Sequence, residues 1–151
     1  LYSDRTGFLV KDDPKAPYTE IKYKKFREDV YAMATGLIDM GLSGKKIAVI
    51  GENSYRWIVT YMSVVTGVGT IVPIDKELQP EDVNAFLESA DCKMVCTDST
   101  RIGKLKGIAD ENILYTDFAD VLDIASSYKA DETAVNKIEI GKNKVEIFNF
   151  Y

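Results

Sequence analysis

Short apolar segments alternate with longer amphipathic segments along most of this chain, and this alternation limits the folds that it can adopt. Four apolar segments have the length of strands and cover residues 46–50, 70–74, 93–97 and 112–115. Each is followed by a segment whose apolar residues have helical spacing. Strands that alternate with helices form parallel βαβ units, because a parallel strand needs a crossover connection. The sequence therefore predicts an α/β fold with a doubly wound, mainly parallel sheet and flanking helices.

The residues before this alternation predict a hairpin and a long helix. Gly7–Val10 and Tyr18–Tyr23 are two short strand patterns separated by a polar loop that contains two prolines. From Lys24 the apolar residues follow a helical period, which indicates an amphipathic helix that ends near Gly41. The apolar stripe of this helix consists of Phe26, Val30, Met33, Ala34, Leu37 and Ile38.

Further helices are predicted between and after the strands. Asn53 or Ser54 can cap the first of them, and Pro80 suits the first turn of the second. Two more are predicted around residues 102–108 and over residues 117–127. Pro73 lacks a backbone donor, so its strand must end there or lie at an edge of the sheet.

The last part of the chain departs from this alternation. Residues 128–144 are polar and predict a variable excursion, whereas residues 145–151 return to the apolar pattern of a strand. Because an apolar strand needs neighbours, we interpret residues 1–151 as a single incomplete domain that continues in a longer protein. Residues 145–151 could pair with a second copy of the chain or fold back over the sheet; we favour pairing, since an exposed apolar strand is a template for it.

Composition excludes several classes of function. The chain has no histidine and two cysteines, which excludes Ser-His-Asp catalysis, Cys-His catalysis and a four-ligand structural zinc site. Nineteen basic and twenty-four acidic residues give a net charge of −5, which argues against a nucleic-acid partner. The sequence contains no uninterrupted apolar stretch that could span a bilayer. Cys92 and Cys96 would lie on one face of a strand about 13 Å apart, which predicts buried thiols in a reducing cytoplasm rather than a disulfide.

Acidic residues follow three of the predicted parallel strands. Glu52, Asp75 and Asp98 each come just after such a strand, and ligands of open α/β sheets bind at these carboxyl ends. A cluster of these residues could hold Mg²⁺ or accept a phosphoryl group. The alternative is that they cap helices, which acidic residues in such loops commonly do. We favour the capping role.

Two further patterns admit a ligand as well as a structural role. Gly67-Val68-Gly69 has the glycines of a nucleotide loop, but they follow a helix and precede a strand, the reverse of a dinucleotide fingerprint. They are therefore interpreted as a helix end and a tight turn. Trp57 and Tyr61 could line an apolar ligand pocket, although aromatic residues at helical spacing are more often core.

Four sequence segments share their order and spacing with a known enzyme family. Residues 47–57 read IAVIGENSYRW, a buried strand that leads into a capped helix carrying a tryptophan. Residues 67–75 read GVGTIVPID, and residues 78–82 read LQPED at the start of the next helix. Residues 21–26 read IKYKKF at the entry to the first long helix. Over most of residues 7–100, this combination resembles the AMP-forming acyl-CoA synthetases, most of all bacterial long-chain fatty acid–CoA ligases.

The resemblance implies that the chain is part of the large N-terminal domain of a two-step ligase. In such enzymes a carboxylate attacks the α-phosphate of ATP to give an acyl-adenylate and pyrophosphate, and CoA thiol then displaces AMP. ATP, Mg²⁺ and CoA are implied for the complete enzyme, together with a fatty acid substrate. A cytoplasmic location is expected, and peripheral attachment of the complete enzyme to a membrane is left open.

This sequence departs from the pattern of the family at two places. A Thr and a Glu that can form a capping box are replaced by Lys22 and Lys25, which weakens the helix start by about 1 kcal/mol if nothing replaces the cap. The Thr-Ser-Gly-Thr-Thr-Gly phosphate loop is absent and would follow residue 151. We therefore expect an inactive scaffold that carries no catalytic, cofactor-binding or metal-binding residue of its own and whose partner is the remainder of the enzyme.

Two alternatives to a fatty acid–CoA ligase remain at this point. Related enzymes that adenylate aryl or amino acids share the same motifs. A stand-alone signalling module of flavodoxin-like form, with Asp75 or Asp98 as its phosphoacceptor, would also explain the alternating elements and the acidic strand ends.

Overall fold

A computed structural model describes residues 2–128, which form two β-sheets and five α-helices. The predicted strand 145–151 and all of the predicted excursion 128–144 except Tyr128 lie outside the described residues. Within residues 2–128, no helix is both long enough and apolar enough to cross a membrane.

The secondary-structure elements follow the predicted order. They are β1 (Thr6–Val10), β2 (Thr19–Lys22), α1 (Tyr23–Asp39), β3 (Lys46–Ile50), α2 (Tyr55–Ser63), a π-helical turn (Val64–Val68), β4 (Thr70–Ile74), α3 (Pro80–Ala90), β5 (Cys92–Thr97), α4 (Ser99–Leu105), β6 (Leu114–Asp117) and α5 (Phe118–Ser127). The largest differences from prediction are at α4, which begins three residues before the predicted 102, and at β6, which begins two residues after the predicted 112. The apolar period is weak at both places: Asp98 caps the start of α4, and a turn in which Asp110 accepts hydrogen bonds from the amides of Asn112 and Ile113 precedes β6.

The four later strands form one parallel sheet in the order β4-β3-β5-β6. This confirms the predicted parallel α/β architecture. Strand β4 lies at one edge of the sheet within the described residues, which is where Pro73 can be accommodated because it has no amide hydrogen to donate.

Helices cover both faces of this sheet. Successive side chains of a strand point to opposite faces, so Ile47 and Val49 pack against α1, α2 and α5, while Ala48 and Ile50 pack against α3 and α4. All four side chains are fully buried. The sheet is therefore doubly wound, and the carboxyl ends of its parallel strands lie at one edge.

The hairpin of β1 and β2 forms a separate antiparallel sheet that packs on one side of this core. The ring of Phe8 lies 4.8 Å from that of Phe26 on α1 and 5.3 Å from that of Tyr55 on α2, between ring centres. This aromatic cluster joins the hairpin to the beginnings of both helices.

The start of α1 has a cap that its sequence does not predict. Lys22 makes no side-chain capping hydrogen bond, in agreement with the missing capping box. However, the amide of Tyr23 donates to the carbonyl of Arg5 at 3.1 Å, and the amide of Lys24 donates to that of Ser3 at 3.0 Å. These backbone bonds satisfy two of the amides that a helix start leaves unpaired, so the expected weakening is offset by the N-terminal segment.

Candidate functional site

The acidic residues that follow the parallel strands lie at the carboxyl edge of the sheet, as the strand pattern predicts. Asp75 comes directly after β4, Asp98 directly after β5, and Glu52 two residues after β3. Open α/β sheets bind their ligands at this edge. A ligand-binding site of this chain is therefore expected at this edge of the sheet.

Asp75 and Asp98 are used by the loops in which they lie. The Asp98 carboxylate accepts hydrogen bonds from the Arg101 amide at 2.9 Å and from Arg101 Nη1 at 3.0 Å, and thereby caps α4. Asp75 Oδ1 accepts a hydrogen bond from the Glu77 amide at 2.9 Å and closes a turn. Among residues 2–128, no group of three or more acidic or thiol side chains could hold a metal ion. These contacts support the structural role of both aspartates.

Two basic residues that the sequence analysis missed connect the three loops. Lys76 Nζ pairs with Glu52, and this hydrogen bond raises the pKa of Lys76 above its ordinary value. Arg101 Nη2 donates to the carbonyl oxygen of Lys76 at 2.8 Å while its Nη1 holds Asp98. The loops after β3, β4 and β5 are therefore tied together. A basic residue three positions after an acidic one, as at Arg101, was the available sequence signal.

A small polar pocket of about 260 Å³ lies beside this connection. Its walls include Lys76, Asp98, Arg101 and Lys104, together with Pro80 at the start of α3. Lys76 and Arg101, two of the cations in its wall, already bind Glu52 and Asp98 and hold the loop ends in position.

The glycine turn is structural, as its reversed order indicated. Gly67 lies in the π-helical turn with φ of 153°, a conformation that residues with a side chain rarely adopt. At Gly69 a Cβ atom would lie 2.2 Å from the carbonyl oxygen of Lys45, so a larger residue cannot fit without backbone movement. The Thr70 amide donates to the same carbonyl at 3.0 Å. The backbone conformation at Gly67 and the close backbone approach at Gly69 therefore explain both glycines without a nucleotide.

Trp57 and Tyr61 are half-buried on α2 and stack on each other. Their ring centres are 5.3 Å apart and their planes differ by 18°. Trp57 also lines a groove of about 810 Å³ between the hairpin and α2, together with Phe8 and Leu122. Both aromatic residues pack against the core, while one face of α2 stays accessible.

The two cysteines are buried and are not joined by a disulfide, as the sequence predicted. The expectation that they share a face of the strand is wrong: Cys92 packs in the cluster of Ala48 and Ile50, and Cys96 packs in the cluster of Ile47 and Val49. An irregularity in the β3–β5 register after Cys92 shifts the alternation by one residue. Burial raises the pKa of the Cys96 thiol to about 12. Its sulfur lies 3.6 Å from Thr60 Oγ1. Because a thiol is nucleophilic only as the thiolate, Cys96 is inert at neutral pH.

A buried carboxylate under the hairpin is the other feature that the sequence analysis missed. Asp29 is 7% exposed and accepts hydrogen bonds from Tyr55 Oη at 2.8 Å and Lys25 Nζ at 2.5 Å. Burial, followed by the bond to Asp29, raises the pKa of Tyr55 well above its ordinary value. The sequence signal for this buried carboxylate was the position of Asp29, an acidic residue inside the apolar stripe of α1. The cluster connects α1 to the first residue of α2, which directly follows the loop after β3.

Three comparisons place this architecture among known proteins. The curated protein 4-hydroxybutyrate–CoA ligase 2 of Metallosphaera sedula is 25% identical over 114 residues, which cover 74% of this chain and 21% of that protein. The fatty acyl CoA synthetase of Mycobacterium tuberculosis superposes with a TM-score of 0.77 at 18% identity and covers 88% of this chain and 28% of that one. The anthranilate CoA ligase AuaEII superposes with a TM-score of 0.74 at 12% identity, over 86% of this chain and 25% of that one.

The chain thus spans about a fifth of the length of the curated relative. The family model described as AMP-binding enzyme matches residues 4–146, nearly the whole chain. The doubly wound parallel sheet agrees with the fold of the solved structures. This chain therefore belongs to the family of AMP-binding, adenylate-forming enzymes.

Proposed function

We propose that this chain is a structural portion of an AMP-forming long-chain fatty acid–CoA ligase. The observation that carries the proposal is the family match over residues 4–146. The fatty acid class is supported by the resemblance of residues 47–75, which form β3, α2 and β4, to fatty acyl members of the family. The signalling-module alternative is disfavoured by the same match and by the local hydrogen bonds that engage Asp75 and Asp98.

The proposed reaction has two balanced steps. A carboxylate oxygen attacks the α-phosphorus of ATP and pyrophosphate leaves, which gives an acyl-adenylate. The thiol of CoA then attacks the acyl carbonyl, AMP leaves with the adenylate oxygen, and the thiol proton is released. Chemistry of this kind depends on positioning and charge stabilisation, and it requires no histidine nucleophile.

The role proposed for the described residues is to build and fix the sheet edge. The connection of Glu52, Lys76, Arg101 and Asp98 holds three loops at the carboxyl ends of the strands. Their carboxylates are engaged by amides and cations of this chain, and they form no three-ligand group that fits Mg²⁺ within residues 2–128. We propose that the groups that bind ATP, Mg²⁺ and CoA are supplied outside residues 1–151. The absence of catalytic residues from this chain stays a prediction.

The cytoplasm is the proposed location. Cys92 and Cys96 are both reduced and buried, which is typical of proteins in a reducing compartment.

An aryl acid substrate is the second candidate. The fold likeness to the anthranilate CoA ligase is nearly as high as the likeness to the fatty acyl CoA synthetase, with TM-scores of 0.74 and 0.77. The fold alone therefore does not distinguish the two substrate classes, and the choice depends on activity measurements.

The test is substrate-dependent ATP–pyrophosphate exchange by a full-length protein that contains this chain. Palmitate, anthranilate and a mixture of amino acids are compared, and the product with CoA is identified by mass. We expect exchange with palmitate and a palmitoyl thioester with equimolar release of AMP. Exchange only with anthranilate or amino acids would refute the fatty acid class, and no exchange with any of these acids would refute both the fatty acid class and the aryl acid candidate.

The scaffold role is tested separately on the 151-residue chain. Calorimetric titration with MgATP should give no measurable heat of binding, because the phosphate loop of the family is absent from this sequence. The full-length protein is the positive control. A saturable 1:1 titration of the 151-residue chain would contradict the scaffold role.

A further inference from the structure

A second large pocket shares no lining residue with the sheet-edge pocket and has a volume of about 850 Å³. It is bounded by one face of α1, by the end of α2 with the π-helical turn, and by four N-terminal residues, Tyr2, Ser3, Arg5 and Thr6. Sites for small organic ligands commonly have volumes of about 300–1,000 Å³. The N-terminal wall is held by the backbone bonds from the α1 amides to Ser3 and Arg5. The pocket is therefore a built feature of this chain.

The floor of this pocket is apolar. Phe26, Val30 and Tyr31 contribute it from α1, and Met62 contributes it from α2. Val30 is buried and the other three are half-buried, so the floor is recessed but still accessible. Thr66 adds one hydroxyl from the π-helical turn, and π-helical turns often mark functional positions.

The rim of the pocket is cationic. Arg5, Lys24 and Arg27 line it and are exposed, whereas no aspartate or glutamate of residues 2–128 lines it. This local excess of positive charge occurs in a chain whose net charge is −5. An acidic protein with a basic rim around an apolar floor is complementary to a ligand with one anionic end and one apolar end.

The arrangement of the rings favours an alkyl chain over a nucleotide base. The guanidinium of Arg5 lies 4.8 Å from the ring centre of Tyr2, and that of Arg27 lies 5.5 Å from that of Tyr31. One face of Tyr2 and one face of Tyr31 are thus covered by a cation, whereas an alkyl chain needs no ring face and can lie on the apolar floor. Base stacking, by contrast, needs open ring faces.

We propose that this pocket binds a single-chain anionic amphiphile, with its alkyl chain on the floor of Phe26, Val30 and Met62 and its carboxylate or phosphate at Arg5 and Lys24. The site is separate from the sheet edge and does not rest on the proposed ligase activity. Carboxylate and phosphate headgroups share the chemistry that the rim recognises, so both are tested.

The experiment is calorimetric titration of the 151-residue chain, without ATP or CoA, with monomeric decanoate, decyl phosphate, octanoate, decanol and AMP. We expect decanoate and decyl phosphate to bind at one site. Octanoate should bind roughly tenfold more weakly than decanoate, because each buried methylene contributes about three- to fourfold in affinity. Decanol should bind at least tenfold more weakly, and AMP should not bind. The affinity for decanoate should fall severalfold at high salt, because the rim charges are exposed.

Variants locate the site. The double variant Arg5→Glu, Lys24→Glu should lower decanoate affinity at least tenfold, and Met62→Trp, which fills the floor, should lower decanoate and decanol binding together. Lys104→Glu on α4 is the matched control for charge reversal and should change affinity less than twofold. Circular dichroism of each variant confirms folding, and the salt dependence of the unaltered chain tests the rim without any substitution.

Several results would overturn the proposal. Equal affinity for decanol and decanoate would show that the cationic rim does not bind the headgroup. AMP binding in preference to decanoate would assign the pocket to nucleotides. Binding to anionic phospholipid vesicles but not to monomeric decanoate would indicate a membrane surface instead. Decanoate binding that survives both the double variant and Met62→Trp would place the ligand elsewhere.

Discussion

The hydrogen bond between Tyr55 and the buried carboxylate of Asp29 offers a quantitative test of how the helices are joined. Tyr55→Phe removes only the hydroxyl and keeps the ring that packs on Phe8. Asp29 then keeps Lys25 as its remaining partner. Hydrogen bonds to charged groups contribute about 1.5–3 kcal/mol, so we expect the free energy of unfolding to fall by about 2 kcal/mol at pH 7.

The loss should also depend on pH in a defined direction. Burial and the bond to Asp29 raise the pKa of Tyr55 in the folded chain above its ordinary value of 10.0. The neutral hydroxyl therefore stabilises the folded state fully below pH 10, and this stabilisation is lost as pH rises above 10 toward the folded pKa. Where the folded chain keeps this proton and the unfolded chain has released it, the free energy of unfolding falls by about 1.4 kcal/mol for each pH unit. The difference in the free energy of unfolding between the unaltered chain and Tyr55→Phe should thus shrink by about 1 kcal/mol from pH 10 to pH 11.

Urea unfolding followed by the fluorescence of Trp57, the single tryptophan, measures both effects. Tyr18→Phe is the matched control, because Tyr18 is 62% exposed and its removal should change stability by less than about 0.5 kcal/mol. A Tyr55→Phe effect as small as that of the control at pH 7 would refute the proposed contribution. A difference that stays constant between pH 9 and pH 11 would refute the pH argument.

Three further predictions address the turn, the thiol and the end of the chain. Gly69→Ala should destabilise the protein by about 2 kcal/mol or more, because its Cβ would overlap the Lys45 carbonyl, whereas Gly103→Ala, with open space around it, should be neutral or stabilising in the same urea assay. Cys96 should resist a thiol reagent at pH 8 in the folded chain, since its pKa is raised to about 12, and should react once urea unfolds it; rapid reaction of the folded chain would contradict this. Removal of residues 145–151 should abolish self-association measured by light scattering at micromolar concentration, and a monomer both with and without them would show that this strand is not exposed.

Much of the fold follows from local sequence pattern. Each β-strand and helix before residue 128 was predicted because a period of two or 3.6 residues is a property of neighbouring positions alone. The parallel direction of the strands follows as well, since a helix between two strands permits the crossover that parallel pairing needs. The edge position of Pro73 has the same local origin. The boundary of α4 was less well predicted because capping by Asp98 outweighed a weak apolar period, and that of β6 because a turn at Asp110 precedes it.

Other features depend on residues far apart in sequence, and only the tertiary structure determines them. The sheet order β4-β3-β5-β6, with β3 in the interior, depends on which strands meet across the helices. The cap of α1 comes from the carbonyls of Ser3 and Arg5, which replace a missing side-chain cap. Asp29 meets Tyr55 across 26 positions, and Arg101 meets Lys76 across 25. No local period contains such pairings, because they arise when burial brings charged groups together and each must then find a partner.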